Sequence, residues 1–351
     1  LEWCVDPNKD NQFDDRMDVV NLSLSTILGL EEKHEIEAEA FRNLSSIGCV
    51  VVAASGNSNN NNFYLVGAPG VERSVICVGA SKLDGETQRI ATLSARGPSS
   101  PYSLLKPEIV APGELIQSAK MGSGFEASWL NGSSLSTPHV AGAAALALQA
   151  HPGWNTSEIK ALLLNTATTL NNEDGLVYPE SLAGAGFLNV AKAVETFVTI
   201  MAEGSDGLTT LSLGSLALSK PTTIKKNIRI TNHKNTPVLY EMAVEETVRE
   251  SGFSILLPSN KTVQVPANSH KLVQVSFHAD PSQFDRIGDS ITPNTINGRA
   301  RSWVYEVSGK IRFNGEGNTL RLPYHAIVRS AADKKTTVKK IGLPNQDTVA
   351  F

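Results

Sequence analysis

The 351-residue sequence predicts a three-layer α/β domain with a mainly parallel sheet, followed by an all-β sandwich. Up to residue 198, apolar strand-like runs alternate with helical segments, which is the βαβ rhythm of an α/β domain. Beyond residue 200 the helical periodicity disappears, and turn residues separate short alternating segments, as is typical of a β-sandwich. We therefore predict domains over residues 1–198 and 205–332, with a polar tail over residues 333–351.

Strands and one amphipathic helix make up the predicted first part of the α/β domain. The predicted strands cover residues 18–24, 49–54 and 74–80, with a weaker one over residues 88–94. The second is a continuous apolar run that suits a parallel strand buried on both faces. The helix is predicted over residues 31–47, because apolar residues recur along one of its faces.

Two longer helices and a closing segment complete the predicted α/β domain. A helix that begins at a serine-rich turn continues to Ala150, and a second helix runs to Thr168. Asn155 and Glu158 supply the capping residues of the second helix. Residues 185–194 close the domain. Glycine and proline in residues 105–113 predict turns.

Six alternating segments predict the strands of the second domain. They are Lys226–Thr231, Val238–Val244, Thr262–Val265, Lys271–His278, Tyr305–Phe313 and Leu320–Val328. A long polar loop is expected over residues 280–301.

The three cysteines provide no disulfide framework and no metal-ligand spacing. The net charge of −4 does not favour nucleic acid or an anionic membrane as a partner. No apolar stretch is long enough to span a membrane.

A serine at residue 134 stands where a small flexible segment meets an apolar helix. The run is Asn131-Gly132-Ser133-Ser134-Leu135-Ser136-Thr137-Pro138-His139-Val140-Ala141-Gly142. Backbone N–H groups and the helix dipole at that place stabilise the charge that develops when a serine attacks a carbonyl. The run resembles the nucleophile segment of the subtilisin-like serine proteases (subtilases), which implies that Ser134 is the nucleophile. The alternative is a core helix with a serine N-cap.

A second segment, Val51–Asn57, ends a buried strand at the sheet edge where α/β proteins bind ligands. It is similar to the subtilase segment whose asparagine donates to the oxyanion, which implies that role for Asn57 beside the Ser134 backbone N–H. The alternative is a turn asparagine. The substrate-binding residues that the resemblance implies are Ser23, Leu24, Ser25, Ala54, Ser55 and Gly56.

The resemblance also implies what this polypeptide lacks. Subtilases carry the catalytic acid in a D-[ST]-G segment and the base in H-G-T-H-V-A-G, and neither motif occurs here. His139 matches a structural histidine of the family, and His34 lies on a polar helix face. We therefore expect a partial subtilisin-like domain, the C-terminal half of the catalytic domain, that needs the missing N-terminal half as a partner. Alone, this fragment would have at most residual peptidase activity.

The second domain is similar to the fibronectin-type-III-like modules of large secreted subtilases. This similarity implies a secreted or cell-surface endopeptidase that acts on polypeptide substrates and needs no cofactor for its chemistry. Two other functions are compatible with the sequence. One is a pseudoenzyme whose cleft only binds peptides. The other is surface binding through the β-domain, although its aromatic residues are scattered rather than arranged in a stripe.

An acidic loop near the start of the sequence carries oxygen ligands at alternate positions. Its side chains Asp6, Asn8, Asp10 and Asp14 could converge on a structural Ca²⁺. The bidentate glutamate expected at the end of such a loop is missing. A solvated acidic loop is the alternative.

Overall fold

In the computed structural model, the described residues are 1–30, 36–58, 62–204, 207–296, 298–315 and 317–331, together with the short strands β19 (Lys340–Ile341) and β20 (Val349–Ala350). The first part of the helix predicted over residues 31–47, with His34, lies outside the described residues. The same holds for most of the predicted polar tail.

A mixed five-stranded sheet forms the centre of the N-terminal region. Its strands are β1 (Val19–Leu22), β2 (Val50–Ala54), β3 (Ile76–Asp84), β4 (Thr87–Ile90) and β5 (Ile109–Pro112). Strands β1, β2 and β3 are parallel in that order, β5 pairs parallel to β3, and β4 pairs antiparallel to β3. The strands predicted over the first three segments are confirmed. Strand β5, which was not predicted, lies within residues 105–113, where glycine and proline predict turns.

Helices cover both faces of this sheet. They are α1 (Glu2–Val5), α2 (Ile36–Ser46), α3 (Ser133–Ala150), α4 (Thr156–Thr166), α5 (Glu180–Ala183) and α6 (Val190–Glu195). Val50 and Val52 of β2 pack in one cluster with residues of α3 and α4. Val51 and Ala53 face the other way and pack with residues of α2. Because side chains alternate along a strand, this double burial explains the continuous apolar run of β2.

Strands dominate the C-terminal region. They are β8 (Val198–Ala202), β9 (Leu211–Leu218), β10 (Thr222–Asn232), β11 (Val238–Val248), β12 (Phe253–Leu256), β13 (Thr262–Val265), β14 (Ser269–Ala279), β15 (Thr295–Ile296), β16 (Arg299–Ala300), β17 (Glu306–Gly315) and β18 (Asn318–Ser330). One sheet has the order β12-β14-β10-β8 and another the order β13-β11-β17-β18-β9. Buried residues of both sheets form one hydrophobic cluster. All six predicted segments overlap strands. The specific assignment to a fibronectin-type-III-like sandwich stays a prediction.

Buried polar contacts join the two regions. Asn165 of α4 donates from Nδ2 to the carbonyls of Ile200 and Arg321, and its Oδ1 accepts the Ile200 N–H. Glu180 of α5 forms a 2.6 Å ion pair with Lys310 of β17. Of the described helices, none combines the length and apolar character needed to cross a membrane.

Candidate active site

The predicted nucleophile lies at the second residue of α3. Gly132, directly before the helix, has φ +151° and ψ +154°, a conformation that is essentially restricted to glycine. The turn at Gly132 brings Ser133 and Ser134 to the first turn of the helix. Ser134 is half-buried, and Ser133 is fully buried. The N-terminus of α3, where N–H groups have no acceptor in the preceding turn of the helix, therefore lies beside a partly accessible hydroxyl.

Asn57 follows the end of β2 and contacts this helix start. Its Oδ1 accepts hydrogen bonds from the Ser133 backbone N–H at 2.8 Å and from the Ser133 Oγ at 3.0 Å. The Ser133 Oγ in turn accepts the N–H of Gly56 at 3.2 Å. These two hydrogen bonds to Oδ1 fix the orientation of the Asn57 amide. Its Nδ2 is then the atom that can donate to a substrate. A Cβ atom at Gly132 would lie 3.1 Å from Nδ2, so a side chain there would crowd it.

A third segment reaches the same place from the end of β1. The Ser23 Oγ donates to the carbonyl of Ser134 at 2.7 Å and accepts from the Asn21 side chain at 3.0 Å. The predicted substrate residue Ser23 thus contacts the backbone of the predicted nucleophile. These contacts link β1 to the start of α3, as those between Ser133 and Asn57 link β2.

A cleft of about 450 Å³ lies over these residues. Its lining includes Leu24, Ser25, Gly56, Asn57, Ser133 and Ser134. Leu24 is 57% exposed at the rim. Of the predicted substrate residues, Ala54, Ser55 and Gly56 are buried, whereas Ser23 and Leu24 are exposed and Ser25 is half-buried. The Ser55 N–H donates to Val78 and its carbonyl accepts from Gly67, so this backbone is engaged within the protein.

The described residues provide no base for Ser134. Within them, no hydrogen bond joins the Ser134 hydroxyl to an imidazole. Nδ1 of His139 lies 2.8 Å from the carbonyl of Leu135, one turn earlier in the same helix.

The buried cysteines are poor candidates for a second nucleophile. Burial raises the pKa of Cys49 to about 11 and that of Cys77 to about 12, so both thiols stay protonated at neutral pH.

The predicted calcium loop uses its oxygens on its own backbone. The Asp6 carboxylate accepts the N–H groups of Asp10 and Asn11, and the Asp10 carboxylate accepts that of Gln12. Across the described residues, no three His, Cys, Asp or Glu side chains stand together in a way that could hold a metal ion. This geometry offers no support for Ca²⁺ at Asp6, Asn8, Asp10 and Asp14, which stays a prediction.

Two buried charge clusters went unrecognised in the sequence. Glu108 bridges Lys106 at 3.0 Å and Lys160 at 2.7 Å in the core. Burial lowers the pKa of Lys160 to about 8, although the Glu108 charge opposes the shift. The second cluster surrounds Arg96, which is completely buried. The available signal in the sequence was the small and apolar residues that adjoin these charges, as in Ala95-Arg96-Gly97 and Glu108-Ile109-Val110.

Comparison with known proteins agrees with the motif resemblance. The profile of the Subtilase family matches residues 2–186, more than half of the chain. Serine protease AprX of Bacillus subtilis (strain 168) is 34% identical over 215 residues, covering 55% of this chain and 46% of that protein. Subtilisin E of the same organism is 35% identical over 196 residues, covering 56% of this chain and 43% of that protein.

A solved structure, that of the prenylagaramide maturation protease PagA, is 26% identical with a TM-score of 0.42. The aligned region covers 51% of this chain and 61% of the PagA chain. The chain spans less than half the length of the two Bacillus relatives. The profile match covers the cleft and every residue that lines it, and on this basis the chain belongs to the subtilase family.

Proposed function

We propose that this chain is the C-terminal half of the catalytic domain of a serine endopeptidase that hydrolyses peptide bonds through an acyl-enzyme on Ser134. The observation that carries the proposal is the pair of hydrogen bonds from Ser133 to Oδ1 of Asn57. They bring the asparagine amide, the start of α3 and Ser134 into one cleft. Family membership supports the reaction class, since one relative is serine protease AprX.

The chemistry assigned to this chain is attack and charge stabilisation. The Ser134 Oγ adds to the peptide carbonyl, and Nδ2 of Asn57 with the Ser134 backbone N–H donates to the resulting oxyanion. The proton of the Ser134 hydroxyl passes to a base, and collapse of the intermediate breaks the C–N bond and releases the amine with that proton. Water then hydrolyses the ester, releases the carboxylic acid and returns the hydroxyl of Ser134. The open cleft beside Leu24 and Ser25 suits an extended polypeptide.

The proton-transfer groups are proposed to come from residues that this sequence does not include. A serine nucleophile needs a base and an orienting acid, and neither family motif occurs here. Among the described strands, β1 pairs only with β2, which leaves one edge open for a further strand. This chain alone would then retain at most residual activity. A secreted or cell-surface protein is part of the proposal, and it rests on the predicted resemblance of the β-rich region to modules of large secreted subtilases.

A fluorophosphonate probe tests the nucleophile. We expect the chain joined to its upstream coding sequence to be labelled at Ser134, and Ser134→Ala to abolish labelling. Ser118→Ala, an exposed serine on the hairpin strand β6 (Ile116–Ala119), is the matched control and should label normally. Labelling at another residue would refute the assignment of Ser134. Normal labelling of the isolated chain would refute the need for outside groups.

Reading the coding sequence upstream of Leu1 separates an enzyme from a peptide-binding pseudoenzyme. In-frame D-[ST]-G and H-G-T-H segments would complete the triad. Replacement of either the aspartate or the histidine would assign the cleft to binding only.

A further inference from the structure

Arg96 of the N-terminal region donates from Nε to the Ser181 hydroxyl of the same region at 2.9 Å, and the remaining hydrogen-bond partners of its side chain belong to the C-terminal region. Its guanidinium donates to Oδ2 of Asp289 at 3.0 Å, to Oε1 of Glu306 at 3.2 Å and to the hydroxyl of Thr292. These residues are close in space although about 200 positions separate them from Arg96. All four side chains are buried. The loop over residues 280–301, which composition alone describes as polar, thus places two of its polar side chains inside the protein.

Aromatic rings and a histidine also pack against the cluster around Arg96. The Phe63 ring lies 3.8 Å from the guanidinium carbon and 6.5 Å from the Trp303 ring of the C-terminal region. The second carboxylate oxygen of Glu306 lies 3.3 Å from Nε2 of His325. Burial raises the pKa of Glu306, but the charges of Arg96 and His325 outweigh it and the net shift is downward. Glu306 is therefore ionised opposite the guanidinium, and removing the Arg96 charge would leave the buried carboxylates of Glu306 and Asp289 without their guanidinium partner.

Backbone hydrogen bonds of Ala95 and Arg96 fix two segments that line the cleft. The N–H of Ala95 donates to the carbonyl of Gly56 at 3.1 Å, and the carbonyl of Arg96 accepts the N–H of Leu65 at 3.0 Å. Gly56 and Leu65 both line the cleft that contains Ser134. Gly56 directly precedes Asn57. Arg96, whose side chain is fixed largely by the C-terminal region, thus contacts one lining segment directly, and its neighbour Ala95 holds the segment that carries the proposed oxyanion donor.

We propose that the loop and strand start over residues 280–306 act through Arg96 to position Gly56 and Asn57, and that Arg96 is a positioning residue for catalysis. The C-terminal region is then part of the catalytic apparatus rather than an independent surface-binding module. The physical reason is that buried charge-assisted hydrogen bonds fix geometry more tightly than apolar packing does. The kinetic part of this inference rests on the proposed role of Asn57, whereas the structural part does not.

Hydrogen exchange tests the structural part without any activity. Asp289→Asn and Thr292→Val each weaken one charge-assisted bond to Arg96 and keep the side-chain volume. In the full protein we expect amide exchange in residues 54–58, 62–67 and 94–97 to quicken by about tenfold, the effect of losing one such bond. Asn165→Ala is the matched control, since it removes three hydrogen bonds between the same two regions but none to the cleft. It should lower Tm without quickening exchange in these segments.

Kinetics on the same variants tests the catalytic part. Small displacements of a catalytic group are costly, so we expect kcat to fall about tenfold or more in the two Arg96-partner variants, with KM little changed. Asn165→Ala should keep the kcat of the parent protein. Unchanged exchange in both Arg96-partner variants, or equal changes in the control, would overturn the inference. Quickened exchange together with an unaffected kcat in Asn57 variants would refute the proposed function and leave the positioning contact standing.

Discussion

Asn57→Asp replaces only the donor end of the amide. In the native protein Oδ1 accepts two hydrogen bonds from Ser133, at 2.8 and 3.0 Å. A carboxylate oxygen can accept the same two bonds, while the second oxygen replaces the Nδ2 donor. The variant therefore keeps the link between β2 and α3 and puts an acceptor where the oxyanion develops. This substitution separates the structural role of Asn57 from its catalytic role.

The expected magnitudes differ widely for the two roles. Loss of one oxyanion donor costs about 3–4 kcal/mol of barrier, or about 10²–10³ in kcat, and repulsion from the carboxylate adds to that. The free energy of unfolding should change by less than about 1 kcal/mol, because a carboxylate at a helix N-terminus is itself favoured. We expect kcat to fall at least about a hundredfold with KM nearly unchanged.

The assay is steady-state peptide hydrolysis by the full protein, paired with urea unfolding of each variant. Ser133→Ala is the control, because it removes the hydroxyl contacts to Asn57 and Gly56 but keeps the backbone N–H bond to Oδ1. Its kcat should fall about tenfold at most, and its stability by about 1 kcal/mol. A kcat for Asn57→Asp within tenfold of the parent would show that Nδ2 is not the oxyanion donor.

Three further predictions concern stability and the site. Glu108→Gln should cost about 3–5 kcal/mol at pH 7, because it leaves buried ammonium groups unpaired. That deficit should shrink in urea unfolding as the pH rises towards about 8, because the Glu108 charge opposes the burial shift of the Lys160 pKa. Without Glu108 the folded variant loses this proton at a lower pH than the parent does, and above about 8 both have lost it; a deficit that is independent of pH would contradict this. Gly132→Ala should lose about 1–3 kcal/mol and lower kcat by crowding Asn57, and unchanged kinetics would refute the crowding. If the Asp6–Asp14 loop binds Ca²⁺, EDTA should lower Tm and added Ca²⁺ restore it; no response to either would eliminate the site.

Secondary structure was predictable wherever burial and local pattern agree. The run over residues 49–54 is apolar throughout because β2 is buried on both faces, and the capping box of Asn155 and Glu158 starts α4 as expected. Several strands were not predicted: β5, β8, β9, β12, the hairpin over residues 116–130, and the two-residue strands β15 and β16 within the predicted polar loop. Strand β5 is four residues long and ends at a proline, so its extended form depends on pairing with β3. Strand β9 contains a glycine and pairs parallel to β18, about 110 positions away.

The sequence by itself determined the family and the identity of the proposed nucleophile and oxyanion donor. Those follow from short motifs whose residues are neighbours along the chain. Only the tertiary structure decided how Ser133 holds Asn57, 76 positions away, and how Arg96 meets Asp289 and Glu306, 193 and 210 positions away. Local periodicity reports which face of an element is buried but carries no information about which distant polar group satisfies a buried charge. Those pairings form when the two regions pack, because burying a charge without an opposite charge or a hydrogen-bond partner costs free energy.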